Sequence, residues 1–506
     1  MRKIFSLFLN EMLKIRKKVA VFVLVIIMTV GMIFCSIIFK SAQLFNESDY
    51  YNYEDEYIEE NINDEQIYKE QIESFEKKGN TDDENYVYEL ISLKGSWHYS
   101  YLYGRYFKEY KISDLSFKSD ILNELCNCYY EMLHEEYFSE QGVESALYKE
   151  IKKHYDMLDG IVRTGEYKDY IEYDNQRISE SDFEEVQKKY LIECNNALLK
   201  MCPTGEYNSI DEKDNAQNLL SQKAKLETSL ELDYDMETGG NITEERREEL
   251  ELLLDVVNKR IEQSILVGST SEQIQGYSYT VSFGLGSLFT LVILIIVAGA
   301  MMSGETSTGT IKSLIIAPVR RWKIYTAKYL SLIVTILVLT LYTYITSALI
   351  NGLLFGFSSF GTEVYIVFGK VITMNFLAAQ FLSAILSMVS SIVVVTFAYM
   401  LSIVTKNTAA AVAITMGVSL GGSTMHMILM EIFSGREYIT KFFPFNNVEW
   451  FDLIFETGSN FGMDSFMEEV YIKTPSTLPF AVIYVTVLLI CMNWIGLDSF
   501  CKKDIK

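Results

Sequence analysis

Six stretches of this 506-residue chain run long enough without a charge to cross a bilayer, and no other feature restricts its fold so severely. In hydrocarbon every backbone N–H and C=O must find its partner inside the protein, so stretches of this kind become helices. The first, residues 19–39, holds 14 Val, Ile, Leu or Phe. At roughly −0.3 to −0.6 kcal/mol for each, insertion is favoured by about 4 to 8 kcal/mol. A cleaved leader fits poorly, because the apolar run is too long and no A-x-A-like site follows it. A bulky Phe34 before Cys35 argues against a lipobox. We expect an uncleaved first helix, with further spans near 280–303, 329–352, 375–403, 407–430 and 477–496. Soluble enzymes, disulfide scaffolds and disordered chains are excluded.

Charge divides the chain unevenly. Residues 41–275 carry 54 Asp or Glu against 24 Lys or Arg, a balance of −30, which leaves the remainder of the −23 chain at +7. Most basic residues outside that block gather in four places. Arg2, Lys3, Lys14, Arg16, Lys17 and Lys18 precede the first span. Lys312, Arg320, Arg321, Lys323 and Lys328 stand between the second and third, and Lys406 lies in the tight turn between the fourth and fifth. Lys502, Lys503 and Lys506 end the chain. The positive-inside rule therefore predicts both termini in the cytoplasm and the acidic block outside.

That block contains a single proline, Pro203, and its 3/4 apolar spacing predicts helices. At 181–200, Ser181 and Glu184 read as a capping box ahead of an apolar face that includes Val186, Tyr190 and Leu198. At 244–266, Thr243 is a candidate cap for a stripe of Leu250, Leu253, Leu254, Val257 and Ile261. Weaker patterns lie near 62–78, 117–136, 143–158 and 212–230. The block is long enough for a core of its own. Its aromatic run WHYSYLYGRYFKEY, residues 97–110, suits core packing, a membrane-interface belt, or a groove for a peptide or lipid tail. Cys126, Cys128, Cys194 and Cys202 are expected mainly as isolated buried thiols, since Cys126 and Cys128 are too close for an easy mutual bridge and no C-x-x-C pair supports zinc. His98, His134, His154 and His426 stand at no ligand spacing, so no metal site and no cofactor are expected.

Between spans two and three the chain reads GETSTGTIKSLIIAPVRRWKIYTAK, residues 304–328. Ile311, Leu314 and Ile315 fall at i, i+3 and i+4, so a short amphipathic helix is predicted at the inner membrane surface, ending at Pro318. Arg320, Arg321 and Lys323 would meet lipid headgroups. Gly304-x(4)-Gly309 begins like a phosphate loop, but Thr310-Ile311 follows where G-K-[ST] requires lysine, so no ATP site is expected in this chain.

The order Glu305, Gly309-Thr310, Leu314, Pro318-Val319-Arg320 and Lys328 resembles the E-x(3)-G-T-x(3)-L-x(3)-P-x-[SR]-R-x(6)-K pattern of ABC-2-type transporter permeases, the membrane subunits of type V ABC exporters. N-E-M-L-K-I-R-K-K at 10–18 is similar to that family's interfacial helix, and Pro444 lies in the outer loop before the last span. The likeness covers about 270 residues and leaves the acidic block aside. It implies a coupling helix seated on a separate cytoplasmic ATPase subunit, with Glu305, Gly309, Thr310, Ile311, Leu314, Pro318 and Arg320 as coupling residues, and with Glu305 and Thr310 facing that subunit. Arg320, where Ser is common, and Lys312 depart from the usual family pattern.

The resulting expectation is an all-α polytopic membrane protein with six transmembrane helices and a mainly helical extracellular domain. Its segments would be an interfacial helix at 1–18, span one at 19–40, the acidic domain at 41–275, span two at 276–303 and the coupling loop at 304–328. Spans three to five would occupy 329–430, an outer loop with re-entrant helices 431–476, span six 477–497 and a tail 498–506. Six spans make half a central cavity, so a second permease copy or a related permease is expected as a partner, besides membrane lipids; no nucleic acid is expected. Gln380, Ser387, His426 and Phe443 are candidates for the translocation path, with Phe442, Phe443, Pro444 and Phe445 as an apolar plug, although close helix packing explains the small polar residues as well. The function expected is the non-enzymatic membrane subunit of an ATP-driven exporter of a peptide, lipid or drug, including antimicrobial-peptide export or immunity. The alternative is a membrane-anchored receptor or surface-binding protein acting through the acidic domain.

Overall fold

The computed structural model describes residues 2–77, 79, 83–207, 210–262, 270–309, 319–357, 360–433, 436–455 and 476–502. The protein is all-α and polytopic. Five helices are long and apolar enough to cross a membrane, and a sixth crossing is made if Thr408–Gly422 and Thr424–Met430, bent by 42°, form one span. Two compact units divide the chain: Met1–Ala42 with Ser271–Lys506, and Gln43–Thr270.

In chain order, α1 (Arg2–Arg16) is followed after a two-residue break by α2 (Val19–Glu76), whose Val19–Leu44 part is span one. The acidic unit then runs through α3 (Glu84–Tyr101), a π-helical turn at Leu102–Tyr106, α4 (Phe107–Tyr110), α5 (Phe117–Phe138), α6 (Ala146–Thr164), α7 (Tyr167–Glu180), α8 (Glu185–Met201) and α9 (Ile210–Leu232). A small antiparallel ribbon, β1 (Tyr234–Asp235) and β2 (Gly240–Asn241), leads to α10 (Glu244–Glu262). The membrane unit resumes with α11 (Thr270–Ser307) and α12 (Arg321–Phe355), then the antiparallel hairpin β3 (Thr362–Val367) and β4 (Lys370–Asn375). It ends with α13 (Phe376–Thr405), α14 (Thr408–Ile432), the short α15 (Glu437–Thr440) and α16 (Phe445–Val448), and α17 (Leu478–Lys502).

The acidic unit has its own cores. Leu102, Tyr103, Tyr106 and Phe107 pack with Ile121, Leu122, Leu125, Leu158 and Ile171, so the middle of the aromatic run is core, while Tyr99 is exposed. Gly104 is required there, because a Cβ would lie 2.9 Å from the Ile62 backbone nitrogen. Cys194 is buried with Leu220 and Ala224 and donates its S–H to the Leu220 carbonyl at 2.9 Å. All four cysteines of this unit are free thiols.

Capping differs from the expectation at one helix and follows it at another. Ser181 does not cap α8; its hydroxyl donates back to the Ile178 carbonyl at 2.7 Å, closing α7, and α8 starts four residues later. The capping box belongs instead to Glu166 and Asp169, at the start of α7. Thr243 does cap α10, accepting from the Arg246 N–H at 3.3 Å.

In the membrane unit the main apolar core joins Val297, Ala298 and Met301 of α11, Ile324, Leu332 and Ile336 of α12, and Val395, Ala398 and Tyr399 of α13. This core sits toward the end of the bundle that carries the 304–328 turn, called here the loop end. The hairpin stands at the other end, where Tyr365, Ala379 and Phe455 form a second cluster. Phe368 at its tip donates its N–H to the Ile454 carbonyl at 3.3 Å, and Val367 bridges Phe455. A hairpin is a correction to the helix-only reading of this unit. The alternation in TEVYIVFGKVITMN and a Gly369 at φ +69° carry its signal.

Candidate functional site

The loop end of the membrane unit holds its most unusual chemistry. α1 is amphipathic in the sense suited to an interface: Phe5, Leu9 and Leu13, spaced i, i+4 and i+8, are exposed, while Glu11 and Ile15 are buried. Against the buried side of α1 packs the first part of α12, and the foot of α11 completes the site. Glu11 comes from α1, Glu305 from the last turn of α11 and Lys328 from the second turn of α12.

These groups form one ionic cluster. The Lys328 ammonium donates to Glu11 Oε2 and to Glu305 Oε1, each at 2.9 Å. Lys14, one turn beyond Glu11, donates to Glu11 Oε1 at 2.8 Å and to Glu305 Oε1 at 3.0 Å. The Lys328 side chain is 1% exposed and that of Glu11 5%, whereas Lys14 reaches solvent at 45%. Two carboxylates and two ammoniums cancel, so the cluster carries no net charge. Burial by itself would raise the pKa of the Glu11 carboxyl, but Lys328 and Lys14 outweigh it and hold the group below its ordinary value. Lys14 is pushed up: burial opposes its charge, and the hydrogen bonds to Glu11 and Glu305 prevail.

Buried pairs of this sort gain little over apolar packing, yet they are costly to break, because the survivor is a bare charge in a poorly solvated place. The cluster therefore acts as a lock on geometry. It fixes the foot of α11, the head of α12 and α1 relative to one another, and thereby closes the two ends of the 304–328 turn. Further bonds spread the lock. Ser402 Oγ, near the end of α13, accepts from the Met302 and Ser303 N–H groups at 3.2 and 3.0 Å, and Ser303 and Thr408 share a hydroxyl contact at 2.7 Å. Tyr399 Oη donates to the Tyr325 carbonyl at 3.3 Å, and Tyr325 Oη donates to Asn493 Oδ1 at 2.9 Å, which brings in α17.

Of the residues singled out in the turn, Glu305 directs its carboxylate to Lys14 and Lys328, where the resemblance implied a surface facing a partner. The two ammoniums supply the reason. Gly309 follows α11 in the left-handed region at φ +72°, a conformation suited to glycine at a helix end. Thr310, Ile311, Leu314 and Pro318 lie outside the described residues. Arg320 is exposed at the extended N-cap of α12, its carbonyl accepting from the Lys323 N–H at 2.9 Å. Glu11 and Lys14 were missed as site residues, although the i, i+3 pair in N-E-M-L-K is a local signal. Lys328 was read only as an orientation charge and a motif position.

The four path candidates do not form one group of contacts. His426 meets Phe443 with ring centres 6.1 Å apart and Phe445 at 5.4 Å. Gln380 is buried on α13, and Ser387 is exposed, with its hydroxyl donating to the Ala384 carbonyl at 2.9 Å. The apolar plug divides: Phe445 packs on Gly422, whereas Phe442 is 54% exposed and meets Phe480 at 5.4 Å.

Comparison with known proteins adds likeness without an activity. Residues 261–506 match a family described as "Protein of unknown function (DUF2705)". The chain is 25% identical over 292 residues to "Uncharacterized protein YhcI" of Bacillus subtilis (strain 168), covering 57% of this chain and 84% of that protein. It is 26% identical over 250 residues to "Uncharacterized membrane protein YdbK" of the same organism, covering 49% of this chain and 89% of the relative. No solved structure matches.

Proposed function

We propose that the chain is the membrane subunit of an ATP-driven exporter, in which the 304–328 turn receives the stroke of a separate cytoplasmic ATPase. The observation that carries this reading is the double pairing of Lys328 with Glu11 and Glu305. A turn transmits force only if its ends cannot give way separately, and one buried ammonium holds both ends and an interfacial helix together. The exposed Phe5, Leu9 and Leu13 stripe supports seating of α1 at the inner surface. The turn's Lys and Arg residues support a cytoplasmic position for the loop end, and with it an external position for the acidic unit. Two copies, or this chain and a related permease, enclose the path. The acidic unit's charge favours cationic cargo, a cationic peptide before a lipid or drug.

The test is photocrosslinking from positions 311, 314 and 320 of the full-length chain in its native membrane. Capture of a nucleotide-binding subunit from positions 311 and 314, together with ATPase activity in the co-purified complex, is the expected result. If those positions capture no such subunit and purified chain brings no ATPase with it, the exporter reading fails.

A further inference from the structure

Spans one, two and three come together tightly at Gly286 of α11. A Cβ there would lie 2.5 Å from Thr343 Cγ2 of α12 and 2.9 Å from Met32 Sδ of span one. One turn nearer the hairpin end the same three helices present Ser36, Ser282 and Ser347, all fully buried. A further turn brings Ser278 and Asn351. Ser278 Oγ donates to Asn351 Oδ1 at 2.6 Å, and the Asn351 amide donates to Ser282 Oγ at 3.1 Å and to the Ser347 carbonyl at 2.9 Å. Above them Gln275 Nε2 donates to the Gly356 carbonyl at 3.0 Å.

This ladder leaves a remainder. Ser36 Oγ, Ser347 Oγ, Gln275 Oε1 and Tyr279 Oη are buried polar atoms without a hydrogen-bond partner among the described residues. All four fall on the same few turns. Phe39 meets Tyr277 at 5.0 Å there, Lys40 lies over the Phe355 ring at 5.1 Å, and Tyr279 packs beside Tyr344 and Ala348, which flank Ser347 on α12. Buried hydroxyls and amides are ordinarily satisfied, and within a membrane only the protein or a trapped guest can do it.

We propose that the outer turns of spans one, two and three enclose a hydrated pocket, in which ordered water binds Ser36, Gln275, Tyr279 and Ser347 above a floor made by Met32, Gly286 and Thr343. The atom types select the guest. Hydroxyls both donate and accept, the Gln275 oxygen accepts, and a buried water uses two to four such partners. A bare cation fits less well, because this set contributes no carboxylate to offset its desolvation. An apolar guest would leave every one of these groups unsatisfied. The pocket makes this contact between spans two and three exchangeable, since bridging water can trade partners as helices shift, whereas the loop end is fixed by ions. The inference does not rest on the exporter reading.

Hydroxyl-radical footprinting of the full-length chain in nanodiscs tests it, because buried side chains beside bound water are labelled by radicals formed in place. Tyr279 and Tyr399 are both fully buried, but Tyr399 sits in the loop-end core with its hydroxyl bonded to the Tyr325 carbonyl. The expected result is labelling of Tyr279 several-fold faster than of Tyr399, slowed several-fold in Ser347→Ala with the rest of the footprint unchanged. Equal, slow labelling of both tyrosines overturns the proposal. So does a Ser347→Ala variant that melts higher with Tyr279 labelling unaltered, the mark of a dry unpaired hydroxyl. Protection of Tyr279 that appears in sodium and not in choline overturns it in favour of a cation.

Discussion

The two units handle charge to different degrees. In the acidic unit most ion pairs stand at the surface, many within one helix, such as Lys168 with Glu172 and Lys152 with Asp156 at i, i+4. Its interior is mainly aromatic and aliphatic, with Lys213 and Asp235 buried against the partly exposed Asp120 and Arg246. The membrane unit exposes apolar side chains, among them Phe22, Leu353 and Trp494, and draws charge inward to Lys328 and Glu11. In water a solvated pair contributes little and its loss matters little; a pair taken out of solvent is hardly missed if never built, yet its half-removal is severe. The comparison teaches that the number of ion pairs predicts nothing about their structural weight, and their surroundings predict nearly all of it.

The sharpest way to break that contrast is Lys328→Ala. It leaves Glu11 and Glu305 facing each other with Lys14 alone, and we expect a loss of about 3–5 kcal/mol, read as a lower Tm of the full-length chain in detergent. Adding Glu11→Gln and Glu305→Gln should recover much of it. A single variant that melts like the parent would remove the cluster from the argument.

Among the buried titratable groups of the acidic unit is His98. Burial pushes His98 down to about 4 from 6.5, so the folded state keeps the ring neutral where the unfolded chain accepts a proton. Stability is therefore complete above pH 6.5 and falls progressively between 6.5 and 4, by roughly 3 kcal/mol at most. Hydrogen exchange of residues 84–101 across that range should show the slope, and His98→Phe should flatten it. A smaller change is expected from Gly104→Ala, which forces a methyl toward the Ile62 backbone and should cost about 1–3 kcal/mol, again read by exchange in the π-helical turn. Smallest is Lys168→Ala. With both partners about two-thirds exposed, its effect on Tm should correspond to less than about 0.5 kcal/mol.

The spans were legible because runs such as 19–39 admit one solution in lipid. In the acidic unit α5, α6, α9 and α10 were visible through 3/4 spacing, while α3 and α7 were not: their inward residues are mixed with Tyr, Ser, Lys and Glu, which dilutes the period. Ser181 misled because the same hydroxyl that starts one helix can close another, and the sequence does not say which carbonyl or N–H is nearer. The hairpin was overlooked since a short apolar alternation beside two long spans reads as part of them. At the site, Glu305 was found and Glu11 was not. A motif can mark positions along one segment, but only folding brings residue 11 to residue 328.

Glu305 and Lys328 pair across 22 intervening residues, of which Ile324 and Tyr325 already belong to the membrane core. Closure entropy grows only slowly with length, so extra residues inserted within such a tethered segment add little penalty. On the proposed function, the part of the segment that precedes α12 is where sequence could change to suit a different docking protein while the Glu305–Lys328 tie stays in place.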